Sequence, residues 1–210
     1  MRLNSLRSRL IVEASPPASA QALGCISTTI ESLPLERTIL HLGSGKKYDS
    51  NAVNVDLTPA TSPDLVHDLD ALPWPLPDDH FEEVWAYDVI EHLDDVVATM
   101  EEIHRVCRDR AVVKITVPHF SCGNAFTDPT HRHYFSSSSF NYFTGESELG
   151  FYTDRRFRRR VASIVFHPTL VNKVVHRFAN WKPAVYERRW AWMFPAWFNY
   201  FELEVVKRRD

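Results

Sequence analysis

Residues 38–56 read TILHLGSGKKYDSNAVNVD, and this stretch decides the fold. Its first half is a short apolar run that ends at Leu42 and passes directly into Gly-Ser-Gly at 43–45. That pattern is typical of a strand followed by a tight turn. The second half is another apolar run, 52–55, which ends in Asp56. The stretch therefore predicts two strands, each with glycine or a polar residue at its carboxyl end.

The alternation of short apolar runs with other segments continues along the chain. The clearest helix is predicted over 94–108, where apolar residues recur at spacings of three and four. Prolines at alternate positions between 73 and 77 predict an extended loop. Further strands are predicted at 64–68, 83–87, 111–117, 161–166 and 201–206. Strands that alternate with helices or crossovers predict an α/β fold with a mostly parallel sheet.

The composition is that of a globular protein and excludes several other classes. Of the 210 residues, 44% are hydrophobic and 24% are charged, which argues against a disordered chain. No apolar run approaches the roughly 18 residues of a membrane span, and the first apolar stretch is too short for a secretory signal. The three cysteines form no CxxC pair, so they are predicted to be reduced thiols in a cytoplasmic protein.

Charge is distributed unevenly along the chain. Residues 1–150 carry 11 Lys and Arg against 22 Asp and Glu, whereas residues 151–210 carry 13 against 5. The basic part begins with DRRFRRR (154–160), which is either a solvated strand or a surface for an anionic acceptor or membrane. Nine aromatic residues between 181 and 201 predict a helix packed on the sheet, a dimer contact or a membrane-surface patch. Nucleic acid is not indicated, since no recognised binding motif is present.

Polar residues at neighbouring strand ends predict a ligand site, because ligands of open parallel sheets bind beyond the carboxyl ends of the strands. A glycine turn there lets backbone N–H groups approach a ligand. Asp56 is placed to accept hydrogen bonds from a ribose, and Asp68 from an adenine amino group. The third glycine of a GxGxxG pattern is replaced by Tyr48, and no GK[ST] motif is present. An acidic lip without a phosphate signature predicts a cationic adenosyl ligand, with an ordinary strand-to-loop turn as the alternative.

The order of the motifs carries a resemblance to a known family. The segments run ILHLGSG, NVD, LVHDLDALPWPLPDDHFEEVWAYDVIEHL, MEEIHRVCR and VVKITVPHF, followed by DPTHRHYFSSSSFNYF and FELEVVK. This order resembles class I S-adenosylmethionine-dependent methyltransferases, and in particular a small type-11-like branch associated with polysaccharide and glycoconjugate biosynthesis. The similarity covers about residues 36–207, and DVIEHL is its most specific part. It implies a Rossmann-like, doubly wound, mostly parallel seven-stranded sheet with flanking helices.

The resemblance also implies S-adenosylmethionine as the cofactor and a set of residues that bind it. These residues are Gly43, Ser44, Gly45, Asp56, Leu57, Asp68, Leu69, Tyr87 and Asp88. Two features depart from the family pattern. His41 stands where an acidic residue is common, and only seven residues separate Gly45 from Val53. The usual helix after the glycine turn is therefore predicted to be reduced to a turn.

Histidines concentrate on loops at the same predicted edge of the sheet. A hydroxyl acceptor often needs a base near neutral pH, and imidazole, with an unperturbed pKa of about 6.5, provides one. The candidate base and positioning groups are His131, His133, His92, His119 and Asp128, with His131 or His133 the first choice as base. Simpler interpretations are a helix cap for His92 and a backbone turn for Asp128. The histidines and Asp128 match no zinc spacing, so we predict no metal, with an incipient metal site as the alternative.

These observations predict an enzyme that uses S-adenosylmethionine to methylate a hydroxyl of a sugar or a similar small molecule or glycoconjugate. One alternative keeps the fold and cofactor but uses another acceptor atom or metal-assisted chemistry. Another is a non-catalytic adaptor with a methyltransferase fold. We predict a helical extension over 1–35 and a methyltransferase domain over 36–210. The predicted location is the cytoplasm, with peripheral membrane contact and a homodimer as open alternatives.

Overall fold

The computed structural model of the protein describes residues 33–145, 153–154 and 156–207. The predicted helices within residues 1–32, and with them most of the predicted N-terminal extension, lie outside the described residues. Within the described ranges, none of the helices is long and apolar enough to cross a membrane.

One sheet of seven strands organises the fold. The strands are β1 (Ile39–Leu42), β2 (Ala52–Asp56), β3 (Leu65–Val66), β4 (Phe81–Tyr87), β5 (Cys107–Pro118), β6 (Arg156–Val165) and β7 (Phe198–Val206). Their order across the sheet is β3-β2-β1-β4-β5-β7-β6. The first five strands in that order are parallel, whereas β7 runs antiparallel to both β5 and β6. The predicted α/β fold with a mostly parallel seven-stranded sheet is confirmed.

In the part of the chain that the structure describes, four helices accompany the sheet: α1 (Val96–Val106), α2 (Asn124–Thr127), α3 (Leu170–Trp181) and α4 (Pro183–Arg189). The helix predicted over 94–108 is shorter because Asp95 is its N-cap, with a carboxylate that accepts from the N–H groups of Val97 and Ala98. Cys107 falls within the predicted range of this helix, but it begins β5 in an extended conformation.

The crossover between β1 and β2 is a turn, as the short spacing predicts. Residues 43–51 are all described and contain no helix. Asn54 on β2 ties the crossover down, because its side-chain amide donates to the carbonyl of Asp49 (2.8 Å) and its oxygen accepts from the Asp49 N–H (3.0 Å). The edge strand β3 contains only two residues. Directly before it, the Asn54 N–H on β2 donates to the carboxylate of Asp64 (2.8 Å) and not to a backbone carbonyl, so the ladder does not extend further in this direction.

The main core lies on one face of the sheet. Leu40, Val53, Val84 and Val113 occupy equivalent positions on four strands and are fully buried. They belong to the same buried cluster as Met100 and the other apolar residues of α1. Burial of one such side chain contributes roughly 1.5–3 kcal/mol, so this face fixes the register of the sheet.

A smaller core lies under α3 and α4, in the C-terminal part of the chain. It contains Ile164, Phe166, Ala179 and Tyr186. The prediction that the aromatic residues of 181–201 form one helix packed on the sheet is wrong for most of the segment. Helix α4 ends at Arg189, and β7 begins at Phe198.

The arginine-rich segment forms most of β6. Arg158 and Arg160 both pair with Glu204 on β7, at 3.0 and 2.5 Å. This outcome fits the interpretation of the segment as a strand with solvated side chains. His104 on α1 is buried, and its Nε2 lies 3.2 Å from the carbonyl of Val206 at the end of β7.

Candidate active site

A cavity of about 710 Å³ opens at the carboxyl ends of the parallel strands. Six of the residues predicted to bind a cofactor line this cavity: Gly43, Asp56, Leu57, Asp68, Leu69 and Asp88. Ser44 and Gly45 support it from the turn behind, and Tyr87 lines a neighbouring cavity instead. Parallel strands bring their carboxyl ends to one edge, which is why residues far apart in sequence meet there.

Asp56 holds the glycine turn in place. Its carboxylate accepts a 2.7 Å hydrogen bond from the N–H of Gly45 and a 3.0 Å bond from the N–H of Thr58. Ser44 donates its backbone N–H to the carbonyl of Val55 (3.1 Å). A carboxylate offers about four acceptor sites, so Asp56 can still accept from the hydroxyls of a ligand in the cavity.

Gly43 allows a close approach between the turn and the loop after β4. Its φ is +60°, which favours glycine, and a Cβ built on it would lie 2.5 Å from Cγ2 of Val89. No side chain fits at that position without displacement. The backbone of Gly43 can therefore face the cavity directly, as a cofactor held by backbone groups requires.

A second cavity, of about 920 Å³, adjoins the first. Its lining includes Lys47, Tyr87, Glu91, Thr116, Pro118, Asn124, Thr127, Asp128, His131, Trp197 and Phe198. Asp88, His92 and Pro129 line both cavities, so the two meet at these residues. A methyl donor in the first cavity and an acceptor in the second would face each other across this junction.

Glu91, His92 and His131 form a cluster beside the junction. Nε2 of His131 lies 4.0 Å from Oε1 of Glu91, and the rings of His92 and His131 are 4.7 Å apart. His92 is held through Nδ1 by the hydroxyl of Thr130 (2.8 Å), and His131 through Nδ1 by the carbonyl of Ala125 (3.1 Å). The backbone N–H of Arg132 donates to the Glu91 carbonyl (2.8 Å), which joins the two loops.

Burial changes the acid–base properties of the cluster. It raises the pKa of Glu91 to about 8, against the weaker opposing effect of the residue's own backbone N–H, and the charges of Asp88 and Asp128 add to the rise. Burial also lowers the pKa of His92, and the neighbouring His131 lowers it further. The cluster therefore favours a neutral His92 with a free nitrogen lone pair.

The other predicted catalytic residues lie at different distances from the cavities. Asp128 lines the second cavity, but its carboxylate accepts from both the N–H (2.8 Å) and the hydroxyl (2.6 Å) of Thr130. These bonds lower its pKa and match the turn interpretation. His133 lines neither cavity, and its Nε2 is 2.9 Å from the carbonyl of Leu93.

His119 is fully buried behind the cavities. Its Nδ1 lies 2.8 Å from Oγ of Ser121, and its Nε2 lies 3.4 Å from Glu187. These bonds, with that of Glu187 to the N–H of Ser137 (2.6 Å), hold β5, the following loop and α4 together. The structure thus brings His92, His131 and Asp128 to the cavity and places His119 and His133 in supporting positions.

Sequence reasoning missed two contributors to the site. Glu91 was considered only with His92 as a helix cap, yet its side chain lies in the cluster. Trp197 was grouped with the aromatic segment, but it lines the second cavity and stacks on His167 with a ring separation of 4.2 Å. The Glu-His pair at the end of a strand could have indicated Glu91, whereas no local pattern marks Trp197.

His41, which stands where the family pattern has an acidic residue, is buried in the sheet. Its ring packs edge-on against Trp85 (5.5 Å) and Tyr87 (6.1 Å). Burial lowers its pKa, so a neutral ring occupies this position. It lines neither cavity and is not a contact for a cofactor there.

Comparison with known proteins agrees with this geometry. Residues 40–115 match the family model described as a methyltransferase domain. Residues 40–115 carry a methyltransferase domain. Its cofactor is S-adenosylmethionine, and the prediction of an enzyme is confirmed. No curated protein matches the sequence significantly.

Solved structures show the same fold as this methyltransferase. An S-adenosylmethionine-dependent methyltransferase from Archaeoglobus fulgidus is 15% identical, with a TM-score of 0.57 over 80% of this chain and 86% of the other. One from Mesorhizobium loti is 14% identical, with a TM-score of 0.52 over 83% and 94%. The [4+2]-cyclase SpnF, 14% identical, has a TM-score of 0.52 over 81% and 75%. Because a cyclase shares the fold, the reaction must be argued from the site.

The described residues of the methyltransferase fit its cofactor. Gly43 lines the first cavity without a side chain of its own, and four carboxylates line the same cavity: Asp56, Asp68, Asp70 and Asp88. Asp56 and Asp68, which the sequence predicts for the ribose and the adenine, both line this cavity, and Asp88 lines both cavities at their junction.

Proposed function

We propose that the methyltransferase O-methylates a hydroxyl group of a sugar or a comparable glycoconjugate. The observation that carries this proposal is the junction of two cavities at Asp88 and His92, next to the Glu91–His92–His131 cluster. One cavity suits the cofactor and the other has the volume of a small-molecule site. The type-11-like branch associated with glycoconjugate biosynthesis, suggested by the sequence, points to the same acceptor class.

The cluster supplies what a hydroxyl acceptor lacks at neutral pH. When bound, S-adenosylmethionine supplies an electrophilic methyl group, whose carbon joins the acceptor oxygen while the C–S electron pair stays on sulfur. The chain must orient the hydroxyl and remove its proton. Nδ1 of both His92 and His131 is occupied by a hydrogen bond, which leaves each Nε2 available on the side of the cluster. Positioning of the two reactants in adjacent cavities adds a further rate enhancement.

The walls of the second cavity support a sugar as the acceptor. Tyr87, Trp197 and Phe198 provide aromatic surfaces, and Asn124 and Thr127 provide hydrogen-bonding groups. A sugar ring combines apolar C–H faces with hydroxyls around its rim, so it fits a wall of this mixed character. Lys47 at the same cavity would also suit an acceptor that carries a carboxylate or phosphate.

The surface of α3 supports peripheral contact with a membrane or with a second copy of the chain. Leu170, Val174 and Trp181 are 81%, 71% and 73% exposed, and Trp192 and Met193, which follow α4, are exposed as well. Lys173 and Arg177 lie on the same helix. Such a surface suits an interfacial contact near a lipid-linked acceptor.

The proposed reaction is tested by methyl transfer from labelled S-adenosylmethionine to a panel of glycosides. The replacement His131→Ala is expected to lower kcat by at least about 100-fold, the usual contribution of proton transfer by a positioned group. The control is His176→Ala, which removes an exposed histidine of α3 that lines neither cavity. Transfer to amines or thiols but to none of the hydroxyl acceptors would contradict the proposed acceptor class.

Removal of the aromatic wall should affect the acceptor more than the cofactor. We expect Trp197→Ala to raise the KM for the acceptor about 10-fold, because an aromatic contact is worth roughly 0.5–1.5 kcal/mol beyond area burial. Binding of S-adenosylhomocysteine, measured by calorimetry, should change by less than about 2-fold, since Trp197 does not line the first cavity. Trp181→Ala on α3 is the matched control. An unchanged KM in Trp197→Ala would place the acceptor elsewhere.

A further inference from the structure

The carboxylate of Glu91 is buried without a hydrogen-bond partner. Glu91 is 1% exposed, and neither of its carboxylate oxygens accepts a hydrogen bond from the described residues. An unpaired carboxylate in the protein interior is destabilising by several kcal/mol unless a positive charge or hydrogen-bond donors compensate it. Glu91 lines the second cavity, so a cation beside its carboxylate would lie at the wall of that cavity.

Two imidazole nitrogens lie beside this carboxylate. One ligand atom from each of Glu91, His92 and His131 can be chosen so that all three lie within 4.8 Å of one another. Metal–ligand distances of roughly 2.0–2.2 Å for Zn²⁺ place such atoms about 3–3.5 Å apart. Small side-chain rotations would bring the three ligand atoms from their present separations, within 4.8 Å, to the separations that a zinc ion requires.

The histidines are held as metal ligands usually are. Nδ1 of His131 is bonded to the carbonyl of Ala125 and Nδ1 of His92 to the hydroxyl of Thr130. A carbonyl oxygen can only accept a hydrogen bond, so Nδ1 of His131 must carry a proton. Nε2 is then the nitrogen that faces Glu91 and can bind a metal. Hydrogen bonds of this kind fix the tautomer and the ring orientation of metal-binding histidines.

We propose that Glu91, His92 and His131 bind one divalent transition-metal cation such as Zn²⁺, with its remaining coordination positions open to the acceptor. The proposal differs from the sequence prediction of no metal and from the alternative site that included His119 and His133. The role of the cation in the reaction rests on the proposed function, because the cation would activate the acceptor hydroxyl.

The donor set selects the class of cation. Two imidazoles and one carboxylate suit Zn²⁺ and neighbouring divalent ions, whereas Ca²⁺ and Mg²⁺ prefer sites built from oxygen alone. Three protein ligands with open positions are typical of a catalytic zinc site rather than a structural one. The double positive charge would also compensate the buried carboxylate of Glu91.

The cation would act on the acceptor hydroxyl directly. Coordination of the hydroxyl oxygen lowers its pKa, so the proton passes to water in the open cavity and the oxygen attacks as an alkoxide. The bond between oxygen and hydrogen breaks, the oxygen–carbon bond forms, and nothing is oxidised or reduced. In this arrangement His92 and His131 assist removal of the proton as ligands of the cation, and water takes the place of imidazole as the proton acceptor, so His131→Ala is still expected to lower kcat.

Metal binding is tested on the full chain after removal of metals with a chelator. We expect calorimetry with Zn²⁺ to show one site, and we expect Glu91→Gln and His131→Ala each to weaken binding at least about 100-fold. The matched control is His176→Ala, which removes an exposed histidine outside the cluster and should bind as the wild type does. Circular dichroism checks that each variant is folded.

A second measurement needs no variant. Co²⁺ added to the metal-free wild type should give visible absorption bands of a low-coordinate site with nitrogen ligands, and Zn²⁺ should displace them. Lack of Zn²⁺ binding by the wild type, or equal binding by Glu91→Gln, His131→Ala and the control, would overturn the proposal.

The same samples separate this proposal from the proposed function. S-adenosylhomocysteine should bind the metal-free protein normally, and glycoside methylation should return only when a divalent cation is restored. Methylation at full rate by the metal-free protein would reject the role of the cation and leave O-methylation intact. Stoichiometric Zn²⁺ binding without methylation of any hydroxyl would support the site and reject the acceptor class.

Discussion

The replacement Asp56→Ala is expected to weaken binding of S-adenosylhomocysteine at least about 100-fold. Two effects act together at this position. The variant loses the acceptor expected to bind the ribose hydroxyls, and hydrogen bonds to a charged group contribute roughly 1.5–3 kcal/mol each. It also loses the 2.7 Å bond from the N–H of Gly45, so the glycine turn that faces the cofactor is released. Calorimetry at constant ionic strength measures the change.

Asp56→Asn separates the two effects. Its amide oxygen can still accept from the N–H of Gly45, but the negative charge is lost, so we expect an intermediate affinity. Asp64→Ala is less suitable as a control for loss of a carboxylate. The Asp64 carboxylate accepts hydrogen bonds from Arg37 and from the N–H of Asn54, so its removal would also destabilise the fold. Wild-type affinity in the folded Asp56→Ala variant would show that the cofactor does not occupy the first cavity.

The replacement Gly43→Ala is expected to destabilise the fold by about 2–4 kcal/mol and to abolish measurable cofactor binding. The new Cβ would lie 2.5 Å from Cγ2 of Val89, and Val89 is a β-branched residue with little rotational freedom. The positive φ adds roughly 1–2 kcal/mol for any residue with a side chain. Urea unfolding followed by circular dichroism measures the loss of stability.

Gly45→Ala provides the matched control for the steric effect. Gly45 also has a positive φ, +50°, but a Cβ there meets no described atom within 4 Å. We therefore expect only the backbone penalty of about 1–2 kcal/mol. Equal destabilisation by the two variants would mean that the contact with Val89 does not limit residue 43.

The strands that form the cofactor edge were predictable because their signals are local. The run that becomes β2 ends at Asp56 in both the prediction and the structure, since alternation and turn residues mark the strand directly. The boundary of α1 was less predictable, because Asp95 and not Asp94 is the N-cap. The lengths of β6 and β7 depend on antiparallel pairing over Arg156–Val165 and Phe198–Val206, which no local pattern reveals.

The type of residue at the candidate site was predictable, but which residues meet there was not. Histidines on loops after the strands pointed to the edge of the sheet where both cavities open, because parallel strands bring their carboxyl ends together. Which of those histidines share a cavity depends on the path of residues 119–134 above the sheet. That path turns His131 towards Glu91 and directs His133 to the carbonyl of Leu93.

The sequence by itself determined the parallel strands β1 and β2, the glycine turn between them and the acidic residue that ends β2, because each depends on residues that are close together in the chain. Only the tertiary structure decided that Glu91, His92 and His131 form one cluster and that Trp197 lines the second cavity. These residues are brought together by packing of loops separated by about 40 to 105 positions. Local pattern carries no information about such contacts, since side-chain burial and loop closure are set by the whole fold.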